Sequence, residues 1–171
     1  MLSGRILYAV HNDTYVIKFV GDVRVPLCAS LEGFLEHMFS DATLQAVLID
    51  LSETIAIDST ALGLIAKVAV FLRHRHGRKP VIFSTNPDVN RILNSMGFDR
   101  VFLILEHMPN ASNQLDGLSL LDELPTNEAS PEKLTHYVIN AHRVLMSLNE
   151  KNKAAFHDLV EALECEQHEK H

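Results

Sequence analysis

The chain opens with two runs of β-forming, largely apolar residues, 5–10 and 14–20, separated by the polar triplet His11-Asn12-Asp13. Turn residues between two such runs predict a β-hairpin. Gly21-Asp22 closes the second strand, and 23–29, with Pro26, reads as a loop. Ser30 is placed to cap a helix over about 31–39, where Leu31, Phe34, Leu35, Met38 and Phe39 recur at the helical period. The run 46–51 shows no apolar–polar alternation. Such a run predicts a strand buried on both faces, hence central and parallel to a neighbour. A helix follows over about 60–74, with Leu62, Ile65, Val68, Ala69 and Leu72 as its buried stripe.

His74-Arg75-His76-Gly77-Arg78-Lys79 ends that helix with positive charge and a glycine, as helix C-termini prefer. The basic run reads most simply as a solvated helix end, and otherwise as a docking patch for an acidic partner. A strand is predicted over 80–84. Asn86-Pro87 then starts a helix that stops at Gly97, and 100–105 reads as a last strand. The order β-β-α-β-α-β-α-β predicts an α/β domain with a mixed sheet and helices packed on it.

Residues 107–130 are loop-like, with Pro109, Gly117 and Pro125, except for 118–124, which can form one apolar turn docked on the core. Ser130-Pro131-Glu132-Lys133 reads as a cap, a first-position proline and an acidic first turn. The helix beyond carries Leu134, Val138, Ala141, Leu145, Leu148, Ala155, Leu159 and Leu163 as a stripe, which would put Asn152 in its seam. A heptad-like seam with one buried Asn is a coiled-coil signature. Ser147-x-x-Glu150 is also a capping-box pattern that would start a second helix. One long helix and a helical hairpin therefore both fit. Either way the stripe needs a partner surface, from its own domain or another subunit.

Charge sharpens this division. Residues 1–108 hold 11 acidic and 10 basic residues, a net of −1, and 109–171 hold 11 and 5, a net of −6. The domain is therefore drawn at 1–108, with a linker at 109–130 and a helical extension at 131–171. At 47% hydrophobic and 22% charged, the 171-residue chain has material for an ordinary core. An acidic balance argues against non-specific nucleic-acid binding. Cys28 and Cys165 stand far apart and read as reduced thiols. Neither a membrane-length apolar run nor an export-type start is seen, so the cytoplasm is expected.

The chemistry concentrates at Asp58-Ser59-Thr60-Ala61-Leu62-Gly63, where the central strand runs into the apolar helix. By composition alone, Ser59 and Thr60 are cap residues. Asp50 and Asp58 flank them in sequence, Ala61 and Gly63 keep the surface low enough for a partner's backbone, and Ile55-Ala56-Ile57 is too apolar for a free loop. A helix N-terminus also suits an anion such as a phosphate on Ser59. Enzyme signatures are missing: no HExxH, no Cys–His zinc pattern, no glycine-rich phosphate loop and no Gly-x-Ser-x-Gly. No metal site, no cofactor and no enzymatic activity are expected, and Ser59 reads as a substrate rather than a nucleophile.

That hexapeptide, with Gly21-Asp22, Asp50-Leu51 and Asn86-Pro87-x-Val89-x-Arg91-x-Leu93 through Gly97-Phe98, resembles the STAS domain of anti-sigma factor antagonists over about residues 4–106. The resemblance implies a STAS-type mixed sheet flanked by helices. It implies that Ser59 is phosphorylated by a serine kinase, often the anti-sigma factor itself, with Thr60 as back-up acceptor. A serine phosphatase would reverse this, and the unphosphorylated form would bind the anti-sigma factor. The expected partner surface comprises Asp22, Arg24, Asp50, Asp58, Thr60, Ala61, Leu62 and Gly63. Two departures stand out. Ala61 replaces a usual glycine, and Arg24 stands where an acid is common and could pair with a phosphate. Other readings stay open: a STAS subunit controlling a different signalling enzyme or a transport complex, or an assembly protein forming a homodimer through its C-terminal helices.

Overall fold

The computed structural model describes residues 3–107 and 121–169. Strands β1 (Arg5–His11) and β2 (Thr14–Val23) form the antiparallel hairpin. Its turn residues Asn12 and Asp13 have φ of 50° and 63°. Two left-handed residues make the tight turn whose twist matches the strands, and Asn and Asp tolerate that conformation. A 3-10 turn at Val25–Leu27 leads into helix α1 (Cys28–Ser40). Then come β3 (Ala46–Ile57), α2 (Ser59–His76), β4 (Val81–Phe83), α3 (Pro87–Ser95), the short α4 (Phe98–Val101), β5 (Leu103–Leu105) and β6 (Asp122–Glu123). Helices α5 (Pro131–Leu148) and α6 (Glu150–Glu169) end the chain.

The six strands form one mixed sheet in the order β5-β4-β3-β2-β1-β6. β2 to β5 are parallel neighbours, while β1 is antiparallel to both β2 and β6. β3 lies inside the sheet and parallel to both neighbours, as its unbroken apolar run predicts.

β3 is longer than that run. It continues to Ile57 beside β2, through register shifts between Lys18 and Val20 and between Gly21 and Asp22. Gly21 takes a φ of 79° at the second shift. Buried positions there fall every third residue, at Leu51, Thr54 and Ile57, so no period-2 signal marks the segment. Thr54 Oγ1 donates to the Phe19 carbonyl at 2.8 Å and ties the irregular stretch down.

Ser30 is not the cap of α1, which starts two residues earlier. Its hydroxyl instead donates to the Pro125 carbonyl (2.6 Å) and accepts from the Asn127 N–H (2.9 Å). That clamp and β6 lay 122–127 along the sheet edge. Of the apolar turn expected over 118–124, residues 118–120 lie outside the described residues, and 122–123 are strand.

α2 is covered on more than one face. Every residue from Thr60 to Ala66 is buried, which a helix facing only a sheet would not show. The second cover is α5, whose Ala141 and Leu145 join the same core cluster as Leu62 and Ile65. The part of the stripe on α5 thus finds its partner surface on its own domain, whereas Ala155 and Leu159, expected in the same stripe, are exposed, and Phe156 and Val160 turn inward from α6 in their place.

The extension is two helices. The break is at Asn149 (φ −166°, ψ 166°), whose Oδ1 accepts from the Asn152 N–H at 2.8 Å. Asn149 is therefore the cap of α6, in place of Ser147, whose hydroxyl turns back to the Val144 carbonyl inside α5. Arg143 pairs with Glu164, and the rings of His142 and Phe156 meet edge-on at 5.0 Å, so the helices fold against each other. Asn152 is buried as its seam position suggests. Its Nδ2 donates to the Leu145 carbonyl (3.0 Å) and to the Met96 carbonyl at the end of α3 (2.8 Å). The seam is satisfied within one chain.

Candidate functional site

The β3–α2 junction is held by one carboxylate. Asp58 takes extended backbone angles, and its Oδ1 accepts from the Ala61 N–H at 2.9 Å, capping α2. Its Oδ2 accepts from the Val25 N–H at 2.9 Å, and its own N–H donates to the Val23 carbonyl. Asp58 thereby satisfies one free amide of the helix start and pins the loop after β2 to it. Ser59 is the first residue of α2 and is not needed as its cap. Its hydroxyl is left for another partner.

That partner is His142 of α5. Ser59 Oγ lies 2.8 Å from His142 Nε2, while His142 Nδ1 lies 2.7 Å from the Val138 carbonyl. A carbonyl only accepts, so Nδ1 carries a proton and donates it there, while Nε2 and the serine hydroxyl share the second hydrogen bond. His142 is buried here. One turn along, Gly63 lies under the backbone of Ala141. A Cβ on Gly63 would stand 2.2 Å from the Ala141 carbonyl oxygen. α2 and α5 approach this closely because the position has no side chain.

The remaining expected surface residues fall into three groups. Asp22 is opposite Ala56, and the loop holding Arg24 is tied to Asp58, so these residues share the Ser59 end of the sheet. Arg24 Nε donates to Asp22 Oδ2 at 2.7 Å, so its charge is matched by that carboxylate. Asp50 is opposite Lys18, six residues before Ala56, about 20 Å along an extended strand. It accepts from the Ser52 N–H and is not brought to Ser59. Thr60, Ala61, Leu62 and Gly63 are buried instead of forming open surface.

Cys28 sits behind the junction. Burial, then the Asp58 and Glu32 carboxylates, push its thiol up to about 12, so it stays protonated and unreactive. Among the described residues, His157, Asp158 and Glu161 are the one group whose donor atoms lie within 4.8 Å of each other. All three are exposed neighbours on α6, an ordinary solvated helix face. No helix among the described residues is long and apolar enough to cross a membrane.

The sequence reading missed His142. Its only signal is its place between Ala141 and Leu145 and four residues after Val138, on the apolar side of α5. Nothing in the linear pattern says which surface that side meets.

A family model described as the STAS domain matches residues 5–111. The chain belongs to the STAS domain family. The α5–α6 hairpin lies outside the matched residues and is an addition to the STAS domain. Among solved structures, the chain is similar to the anti-sigma factor antagonist SpoIIAA in its unphosphorylated form. The TM-score is 0.51 at 12% identity, covering 61% of this chain and 89% of that one. It is also similar to a proposed anti-sigma factor antagonist from Thermotoga maritima, with TM-score 0.53 at 18% identity, covering 64% and 92%. At such identities the likeness carries the fold alone. A search among curated proteins finds no match.

Proposed function

We propose that this STAS protein is a phosphorylation-regulated anti-sigma factor antagonist in a bacterial partner-switching pathway, with Ser59 as the phosphoryl acceptor. The observation that carries the reading is the position of Ser59. It is the first residue of a long helix in a STAS domain, with the capping role already filled by Asp58. A phosphate there adds about −1.5 to −2 charges at the positive end of α2, which stabilises it. The same charge would repel or sterically exclude a partner packed on the first turn of the helix. A serine kinase and a serine phosphatase are the implied modifying partners, and the cytoplasm the implied compartment. The protein would act by binding rather than by catalysis.

The two solved relatives favour an anti-sigma factor as the target over a different signalling enzyme or a transport complex. The apolar stripe of α5 is used within the chain, which argues against helix-driven homodimerisation as the main role.

Phosphopeptide mapping of the protein from its source organism, with Ser59→Ala and Ser59→Asp forms used as baits, tests the reading. Phosphate on Ser59, retention of one partner by the alanine form and its loss from the aspartate form are expected. An unmodified Ser59, with both variants binding like the wild type, sinks it.

A further inference from the structure

In this structure the face of α2 that carries Ser59 is already occupied, by the chain's own α5. Three independent contacts define that occupancy. Ser59 Oγ is hydrogen-bonded to buried His142 at 2.8 Å. The Ala141 backbone fills the space left by Gly63. Asn149 and Asn152 both donate to the Met96 carbonyl, at 3.2 Å and 2.8 Å, and fasten the hairpin's bend to the domain. Thr60, Ala61, Leu62 and Gly63 are buried partly as a result. A partner that packs on the first turn of α2 and the docked hairpin need the same space.

We propose that the α5–α6 hairpin is a built-in competitor for the Ser59 face: docked, it masks Ser59 from the phosphoryl donor and is displaced only by a partner that binds the face more tightly, and a phosphate on Ser59 expels it. A phosphoryl group on Oγ must stand where the imidazole of His142 now sits. The 2.8 Å contact leaves no room for the added group, so the ring must leave its place against Ser59. The dianion would also lose its water inside a packed, buried interface, and desolvating a charge is costly. Masking and expulsion are two sides of one exclusion.

The masking step rests on the Ser59 reading given above, while the docking equilibrium can be measured without any kinase. Cys165 on α6 is exposed, and Cys28 is buried and silent. Spin labels on Cys165 and on an introduced Asp88→Cys, at an exposed site on α3, report the distance between hairpin and domain in the full-length protein. One narrow distance is expected for the wild-type background and for Ser59→Ala. Ser59→Glu should broaden it and speed amide exchange over residues 138–145 by roughly tenfold or more. Ala141→Glu, which wedges a charge between the helices and leaves Ser59 intact, should do the same. It should also raise phosphate occupancy at Ser59 in cells severalfold. Ser59→Glu with an unchanged narrow distance overturns the proposal. If that variant fails to fold, an unchanged narrow distance in Ala141→Glu overturns it equally. Phosphate present on Ser59 at equal occupancy in the wild type and Ala141→Glu also overturns it. No phosphate on any form refutes the phosphorylation reading, and the distances then still decide whether charge at Ser59 expels the hairpin.

Discussion

Ser59 Oγ and His142 Nε2 are 2.8 Å apart across 83 residues of sequence, and the imidazole is 2% exposed. The bond joins the first residue of the longest domain helix to a part of the chain outside the family domain. Truncating His142 removes the hydrogen-bond partner of Ser59 Oγ and leaves a void against Phe156. His142→Ala should therefore lower stability by roughly 2–4 kcal/mol in urea unfolding. A loss below about 0.5 kcal/mol would mean that α5 is not docked in solution.

Gly63 offers a test with a sign. In an exposed helix, Gly→Ala stabilises by up to about 1 kcal/mol through propensity. Here the new methyl would press into the Ala141 carbonyl, and overpacking costs about 1–3 kcal/mol. Gly63→Ala should destabilise the protein and raise exchange at 138–145, and a higher Tm would show that face to be open.

Asn152 is buried and serves two carbonyls that face each other across the hairpin and the domain. Asn152→Ala leaves the Leu145 carbonyl short of a donor and weakens the tie to Met96. A loss of about 1–3 kcal/mol is expected, with Asn152→Leu no better, because the Leu145 carbonyl still lacks that donor. Thermal melts of the three forms compare them directly.

The Tyr15–Asp41 pair sets a pH dependence. The Tyr15 hydroxyl donates to Asp41 Oδ2 at 2.5 Å. That bond, with donors from Thr43, holds the Asp41 carboxyl down at about 2 from an ordinary 3.8. Burial and then Asp41 push the Tyr15 phenol up to about 12 from 10.0. A depressed carboxyl stabilises the fold above its unfolded value and stops doing so as pH falls through its folded value. A raised phenol stabilises below its unfolded value and stops as pH rises through the folded one. Tyr15→Phe should thus melt below the wild type at neutral pH. The gap should narrow as pH falls from about 4 towards 2, and again as it rises from about 10 towards 12. A gap independent of pH would remove the hydroxyl–carboxylate bond as its cause.

The two thiols should differ in reactivity. Cys165 is exposed, and Cys28 is buried with its thiol pushed up to about 12. A thiol reagent at neutral pH should modify one cysteine in the native protein and both after denaturation. Fast modification of Cys28 in the native state would require the α1–α2 packing to be loose.

Features whose physics is local are legible in the linear pattern. Two β-forming runs with turn residues between them marked the hairpin, the unbroken run 46–51 marked an inner parallel strand, and Asn86-Pro87 marked the start of α3. The Asp58-Ser59-Thr60 junction and its family followed from the same residues. Tertiary structure decided what depends on register and on which surfaces meet. The bulged extension of β3 separates Asp50 from Ser59, because shifted pairing has no period to read. Ser30 went to the 125–127 segment, since a distant carbonyl and amide compete with the local cap. Above all, an apolar stripe tells that α5 needs a partner and not which one. Only packing brought Ala141 onto Gly63 and His142 onto Ser59, and so covered the site that the linear pattern presents as open.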